Sequence, residues 1–381
     1  SSDVCSSDLT MQIGDRFDVN ITAIAHGGHC IARHEGRVIF VRHAIPGEKV
    51  TVEITDVTKN FARGNCIAII EASPFRVQAP CKYATPDGCG GCDFQHLNLP
   101  YQRHLKAEVI KEQFSRIAKM DVDVTVHEVL PTTRYRTHIR GVANEAGHFG
   151  IYASRSHDII PISDCLIAGE ELHVEKIATE QFEPMEPIEV PQGDQIREVK
   201  GKKLLVKAGA FWQRHRNAPD TLTTKFLELA KLKAGEHLLD LYGGVGLFSS
   251  VAIDLLGPGG RIDLIESSIP ATDSARENFA DFSNVKIHRE DVAKGLKSIK
   301  RADVVVLDPP RAGAGAEVVA QLLRIKPSRI VYVACDPASL ARDVKSFVDA
   351  GWKLSSLDGF DLFPMTQHIE SVCLLEPNKI S

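Results

Sequence analysis

The chain has 381 residues, 43% of them hydrophobic and 25% charged, with a formal net charge of −5. That length predicts two or three domains of ordinary globular composition. The charge excludes a globally basic nucleic-acid binder but leaves room for a local basic face. No apolar run reaches membrane-spanning length and no basic-then-apolar leader opens the chain, so the expectation is a cytoplasmic monomer with no membrane role.

The first ten residues, SSDVCSSDLT, have neither periodicity nor a core pattern and read as a leader, a cloning remnant or a translation artefact. From Met11 to about Ala72 the pattern is β-rich. Alternating runs at Phe17–Ile21, Arg37–Val41 and Lys49–Ile54 are divided by turn signals at Gly27-Gly28, His34-Glu35-Gly36 and Pro46-Gly47. Short strands so spaced predict a small closed barrel of the OB type. The phrase GGHCIARHEGRVIFVRHAIPGEKV resembles the TRAM domain, an RNA-binding module of that type, in its glycine pair, its G-x-V-x-F-V strand and its P-G-E. The resemblance implies RNA as a partner, and Arg33, Arg37, Arg42 and Lys49 become candidates to track its backbone.

A Pro- and Gly-rich loop from about Ser73 leads to Cys81-x7-Cys89-Gly90-Gly91-Cys92, with Cys165 far downstream. Nine unevenly spaced cysteines point to metal or catalytic use rather than a disulfide framework. Four thiolates suit either zinc or a [4Fe–4S] cluster, and the lack of a second CxxC knuckle weighs modestly toward the cluster. The motif and the later I-S-D-C-L are similar to the iron–sulfur motif of RNA 5-methyluridine methyltransferases. That resemblance implies a [4Fe–4S] cluster on Cys81, Cys89, Cys92 and Cys165, with an architectural role.

A helix is predicted over Tyr101–Ala118, with Leu105, Val109, Ile110, Phe114 and Ile117 at helical spacing. Short strands return from Arg134 to about Val206, and clean α/β alternation from Thr221 predicts a doubly wound parallel sheet. The strand Glu236–Leu241 runs into Tyr242-Gly243-Gly244-Val245-Gly246 and a helix, which places a ligand at a helix N-terminus on the sheet's carboxyl edge. Taken alone, that turn and Glu266 at the next strand end suit SAM or NAD equally. Asp291 after a third strand and Asp308-Pro309-Pro310-Arg311 after a fourth favour a class I SAM methyltransferase. The 5-methyluridine family resemblance adds Gln213, in Phe211-Trp212-Gln213-Arg214-His215, where His215 replaces the family's Asn. Cofactor candidates are thus Gln213, Tyr242, Gly244, Glu266, Asp291 and Asp308.

A fifth strand, Arg329–Val333, ends in Ala334-Cys335-Asp336-Pro337, which puts a thiol at the ligand crevice, where helix amides would favour the thiolate. Uracil C5 is too weak a nucleophile to take a methyl group from SAM unaided. Thiolate addition at C6 makes C5 a carbanion, and a base must later remove the C5 proton. Asp361 to Val372 resembles the family's D-x-F-P-x-T-x-H-x-E-x-V run, which implies Glu370 as that base. A carboxylate on a buried strand otherwise needs a partner to offset its burial.

Together these motifs imply an α/β protein. It would carry a Rossmann-like class I methyltransferase domain at 206–381, a TRAM domain at 11–72, and a β-rich iron–sulfur domain at 73–205, behind the leader at 1–10. The implied activity is methylation of uridine C5 in RNA, 23S ribosomal RNA ahead of tRNA uridine 54. The cysteine spacing does not suit a radical SAM enzyme. A catalytically inactive RNA-binding relative is disfavoured by the intact Cys335 and Glu370.

Overall fold

The structure, a computed structural model, describes residues 11–154 and 156–378. The proposed leader and its Cys5 lie outside the described residues. The chain divides into two compact units. One holds the described residues through Leu105 with Ile151–Ile160 and Met365–Gln367; the other holds Lys106–Gly150, Pro161–Pro364 and the chain from His368.

The first unit opens with β1 (Arg16–Asn20), β2 (Ala23–Ile24), β3 (Cys30–His34), β4 (Arg37–Arg42), β5 (Lys49–Val57) and β6 (Phe61–Glu71). Their hydrogen-bonded order is β1-β5-β6-β4-β3-β2, antiparallel throughout except for the parallel pair β4–β6. Alternation puts Ile39, Val41, Val50, Val52 and Ile54 on one face, where they form a core with Val19 and Ala62. The expected closed barrel is corrected in one respect. Among the described residues the ladder is open, because β2 has only two residues and cannot build a closing ladder with β1.

The helix α1 (Leu99–Gln113) follows and continues as a π-helical turn through Ala118. Next come β7 (Val126–Glu128), β8 (Ile139–Ala143), β9 (Phe149–Tyr152), β10 (Ile159–Pro161), the four-residue α2 (Val174–Ile177) and β11 (Pro187–Val190). A small sheet has the order β10-β9-β8-β11, and β12 (Gln195–Val199) pairs with β13 (Lys202–Val206) as a hairpin.

The remaining elements are α3 (Ala218–Ala230), β14 (His237–Leu241), α4 (Leu247–Leu256), β15 (Arg261–Glu266), α5 (Ile269–Asn278), β16 (Val285–Arg289), α6 (Val292–Gly295), β17 (Val304–Leu307), α7 (Gly315–Ile325), β18 (Arg329–Ala334), α8 (Pro337–Asp349), β19 (Trp352–Asp361) and β20 (Glu370–Pro377). With β7 they form an eight-stranded sheet in the order β16-β15-β14-β17-β18-β20-β19-β7. Five neighbouring strands, β16 through β18, are parallel as predicted. The last pair departs from that expectation, since β20 runs antiparallel to both β18 and β19. Only residues 362–369 join β19 to β20, too few for the crossover that a parallel pair requires. The core beneath combines Leu238, Val304, Val306, Val331 and Val333 of the strands with Leu222 and Phe226 of α3 and Phe248 and Val251 of α4.

Candidate active site

The sheet order brings the carboxyl ends of β14, β15, β16, β17 and β18 to one edge. β20, being antiparallel, starts there. The β18–β20 register pairs Ala334 with Ser371 and Val333 with Val372, and Cys335 and Glu370 are the next residues beyond its last pair. They lie near enough for the charge of Glu370 to act on the Cys335 thiol. Leu307 pairs with Tyr332 on the other side of β18, which brings Asp308 to the same end. Three residues distant in sequence thus share one crevice because of strand order alone.

Cys335 is half-buried and Glu370 is 4% exposed. Burial pushes the Cys335 thiol up to about 12, and the negative charges of Glu370 and Asp308 add to the rise, against a smaller opposing pull from Arg311. The expectation that helix amides would favour the thiolate is corrected here. Asp336 is the N-cap of α8, and its carboxylate accepts the N–H groups of Ala338 and Ser339 at 3.0 and 2.8 Å. Those amides are occupied, which also explains the Asp-Pro step: a cap followed by proline at the first helical position. Glu370 is raised well above the ordinary carboxylate range by burial and by the nearby Asp308. Asp308 is itself raised by desolvation, against a hydrogen bond from Gln213 Nε2 at 3.2 Å. His368 is pushed down to about 4 by burial and the neighbouring cations, and it faces Arg311 at 3.1 Å as a neutral ring.

The glycine turn after β14 lies beside this group. Gly246, with φ +95°, starts α4, and a Cβ there would fall 2.2 Å from the Phe279 ring, so only glycine lets α4 approach α5. Gly244, with φ +56°, faces open space, and its N–H donates to Glu266 Oε2 at 3.1 Å. Tyr242 holds φ +57°, and Asp291 caps α6 through Lys294 N. The fully buried Asp240, missed in the sequence, accepts from the Ser249 hydroxyl at 2.6 Å and the Ser249 amide at 3.0 Å. Its second oxygen has no partner among the described residues. An open glycine backbone, an orphaned carboxylate oxygen and the acids Glu266, Asp291 and Asp308 make a polar cradle that fits an adenosyl-amino-acid ligand bearing a positive sulfonium. His215, by contrast, lies in packing. It stacks on Tyr135, takes the Asn217 N–H at Nδ1, and so carries its proton on Nε2, which donates to the Pro131 carbonyl at 3.0 Å.

Two further groups position the crevice and escaped the sequence reading. Asp343 accepts from Tyr332 Oη at 2.8 Å and from Ala314 N at 2.8 Å, which pins the loop after Asp308 to α8. Lys106 Nζ meets Asp361 Oδ1 at 2.6 Å, both side chains 1% exposed, and also reaches the Phe363 carbonyl. That pair fixes the segment leading to Glu370.

Cys81, Cys89, Cys92 and Cys165 are half-buried. Gly91 N lies 3.4 Å from Cys89 Sγ, while Cys165 N donates to Asp164 Oδ1 at 2.7 Å. Four thiols have the donor chemistry of an iron–sulfur site. Among the described residues, no three His, Cys, Asp or Glu side chains are gathered to hold a metal ion. Of the TRAM-segment cations, Arg33 is exposed, Lys49 is half-buried, Arg42 lies 3.7 Å from Asp93, and Arg37 donates to the Thr58 carbonyl.

Known proteins resemble the chain in sequence and in fold. A TRAM-domain family model matches residues 11–67, and a tRNA (Uracil-5-)-methyltransferase family model matches residues 194–378. An uncharacterized RNA methyltransferase of Streptomyces avermitilis is 39% identical over 96% of this chain and 99% of its own length. One from Streptomyces coelicolor is 38% identical over 96% and 93%. In fold the chain is similar to the Pyrococcus abyssi tRNA (uracil-54, C5)-methyltransferase solved with S-adenosyl-L-homocysteine. The TM-score is 0.70 at 21% identity, over 94% of this chain and 100% of that one. The chain therefore belongs to the RNA (uracil-5-)-methyltransferase family, with a TRAM domain ahead of the methyltransferase domain.

Proposed function

We propose that this chain transfers a methyl group from S-adenosyl-L-methionine to C5 of a uridine in RNA, with large-subunit ribosomal RNA as the substrate class. The supporting observation is that Cys335 and Glu370 lie just beyond the last pair of the β18–β20 ladder, beside the glycine and carboxylate cradle. Gln213, Tyr242, Gly244, Glu266, Asp291 and Asp308 would hold the cofactor, which when bound supplies an electrophilic methyl group. The uridine must leave its stack to reach the crevice.

Cys335 Sγ, once deprotonated, forms a bond to C6 and drives the electron pair of the C5–C6 bond onto C5. After C5 has gained its methyl group, Glu370 takes the C5 proton. The electron pair of that C–H bond restores the double bond and expels the thiolate. A carboxylate raised by burial is a stronger acceptor than an exposed one, which suits Glu370 to this removal. The TRAM segment, 11–72, is proposed to grip RNA, the region 73–205 to carry a cluster on its motif cysteines and Cys165, and 206–381 to do the chemistry. No step of the reaction passes through the cluster.

The test is tritium release from [5-³H]uridine-labelled ribosomal RNA and tRNA with the cofactor, for wild type and Cys335→Ala. Release from ribosomal RNA that disappears in the variant is the expected result. Release from tRNA alone would replace the substrate, and release that survives in Cys335→Ala would contradict the covalent route.

A further inference from the structure

A cleft of about 490 Å³ opens in the second unit between β8, β11, β12 and the segment Val206–Arg214. Its walls carry Arg140, Arg197 and Arg214, and among the described residues the last two have no carboxylate partner. Arg197 reaches only the Thr137 carbonyl at 3.4 Å, and its Nε is buried without any hydrogen-bond partner. Arg214 lies 5.8 Å from the Phe211 ring, which is 57% exposed. The cleft's one carboxylate, Glu189, is taken by His138 and by Arg140 at 3.4 Å, and Lys207 is neutralised by Glu277. Burial lowers the proton affinity of Arg197 against the pull of Glu171, and that of Arg214 against the pull of Glu189, with Arg136 and Arg140 adding repulsion at Arg214. Partly desolvated cations whose nearest carboxylate is already paired elsewhere describe a site that can take an anion from outside. The same segment carries Gln213, whose side chain turns to Asp308 in the crevice, so the cleft and the crevice are two sides of one strip of chain.

We propose that Arg140, Arg197 and Arg214 form a phosphodiester-binding cleft that holds the RNA strand flanking the target uridine. Separate guanidinium groups spread along a cleft beside an exposed aromatic ring suit a polymer of repeating phosphates and bases better than a single small anion. The proposal rests on RNA being the substrate.

The test measures binding of a fluorescein-labelled 12-nucleotide oligouridylate to the full chain by anisotropy across a salt series. It compares wild type, Arg197→Gln, Arg214→Gln, the double variant, and Arg301→Gln as a control at an 83% exposed side chain. Calorimetric cofactor binding checks the fold. Each single variant should weaken binding about 5-fold and the double variant at least about 20-fold. The slope of log K against log salt should shrink by about 0.7 for each arginine removed. Arg301→Gln should change neither. Wild-type affinity and slope in the double variant, or in both single variants should the double variant not bind cofactor, would overturn the cleft alone. Complete displacement of the RNA by 10 mM inorganic phosphate at constant ionic strength would instead make it a small-anion site. A wild-type protein that binds no RNA at all would overturn the RNA reading along with it.

Discussion

Cys335 stands two residues before a helix whose first amides are already taken by Asp336. Its thiol is pushed up to about 12, so across neutral pH it is overwhelmingly protonated and its thiolate fraction rises tenfold with each pH unit. Methyl transfer limited by the thiolate should therefore show a log kcat/KM that climbs with a slope of about 1 between pH 6 and 8. A flat profile would count against this. Above the pH at which Glu370 ionises, its charge holds the thiol back. Iodoacetamide should then label the Cys335 peptide several-fold faster in Glu370→Gln than in wild type at pH 9, as read by peptide mass spectrometry. The same variant should lose about 10²–10⁴-fold in turnover, the usual worth of a positioned base. Cys335 was legible in the sequence because it follows a strand within a short motif, and Glu370 because its run resembles that of the 5-methyluridine family. Their electrostatics were not, because the nearness of Cys335 to Glu370 and the occupation of the α8 amides arise only when the strands pair.

At the level of elements, the crevice depends on side chains that no local motif exposes. Asp343 lies within α8 and reads as one charged position among several, yet it is 1% exposed and ties Tyr332 to the loop after Asp308. Asp343→Asn should leave kcat within a few-fold but raise the cofactor KM about tenfold, because the loop carrying Asp308 loses its anchor. An unchanged KM would sever the loop from the cradle. Lys106 and Asp361 form a buried pair, and breaking one side leaves a charge stranded in the interior. Lys106→Met should cost about 3–5 kcal/mol in urea unfolding, and much of that loss should return in Lys106→Met/Asp361→Leu. Parallel strands β14 to β18 were readable from apolar runs between helices. The β19–β20 reversal was set by a connection too short to cross over, and the unclosed TRAM ladder by a two-residue strand.

Across the whole molecule, the acids divide into two groups with opposite effects on stability. Asp263 pays burial but is held below the ordinary carboxylate range by His237, His288 and Arg261, so its contribution is present above about pH 4 and lost as acid protonates it. Asp240, raised to about 7, and Glu370, raised well above its ordinary value, hold protons in the folded state that the unfolded chain releases. Stability is therefore surrendered as pH rises from about 4 through their folded values, and each tenfold change in proton affinity corresponds to about 1.4 kcal/mol. Glu370→Gln should accordingly be more stable than wild type at pH 8 and nearly equal to it at pH 5, by thermal unfolding. Equal behaviour at both would mean that the crevice carries no such strain. The cysteine motif makes its own claim, an absorption band in the visible after anaerobic purification that vanishes when Cys89 and Cys92 are replaced by serine. The central claim is the bond from Cys335 to uracil C6, and it is tested most directly with RNA carrying 5-fluorouridine, whose C5 has no proton for Glu370 to remove after methylation. With cofactor present, wild type should form a stable protein–RNA adduct that mass spectrometry maps to Cys335, and Cys335→Ala should form none. An adduct on another residue, or methylated product from Cys335→Ala, would contradict the account.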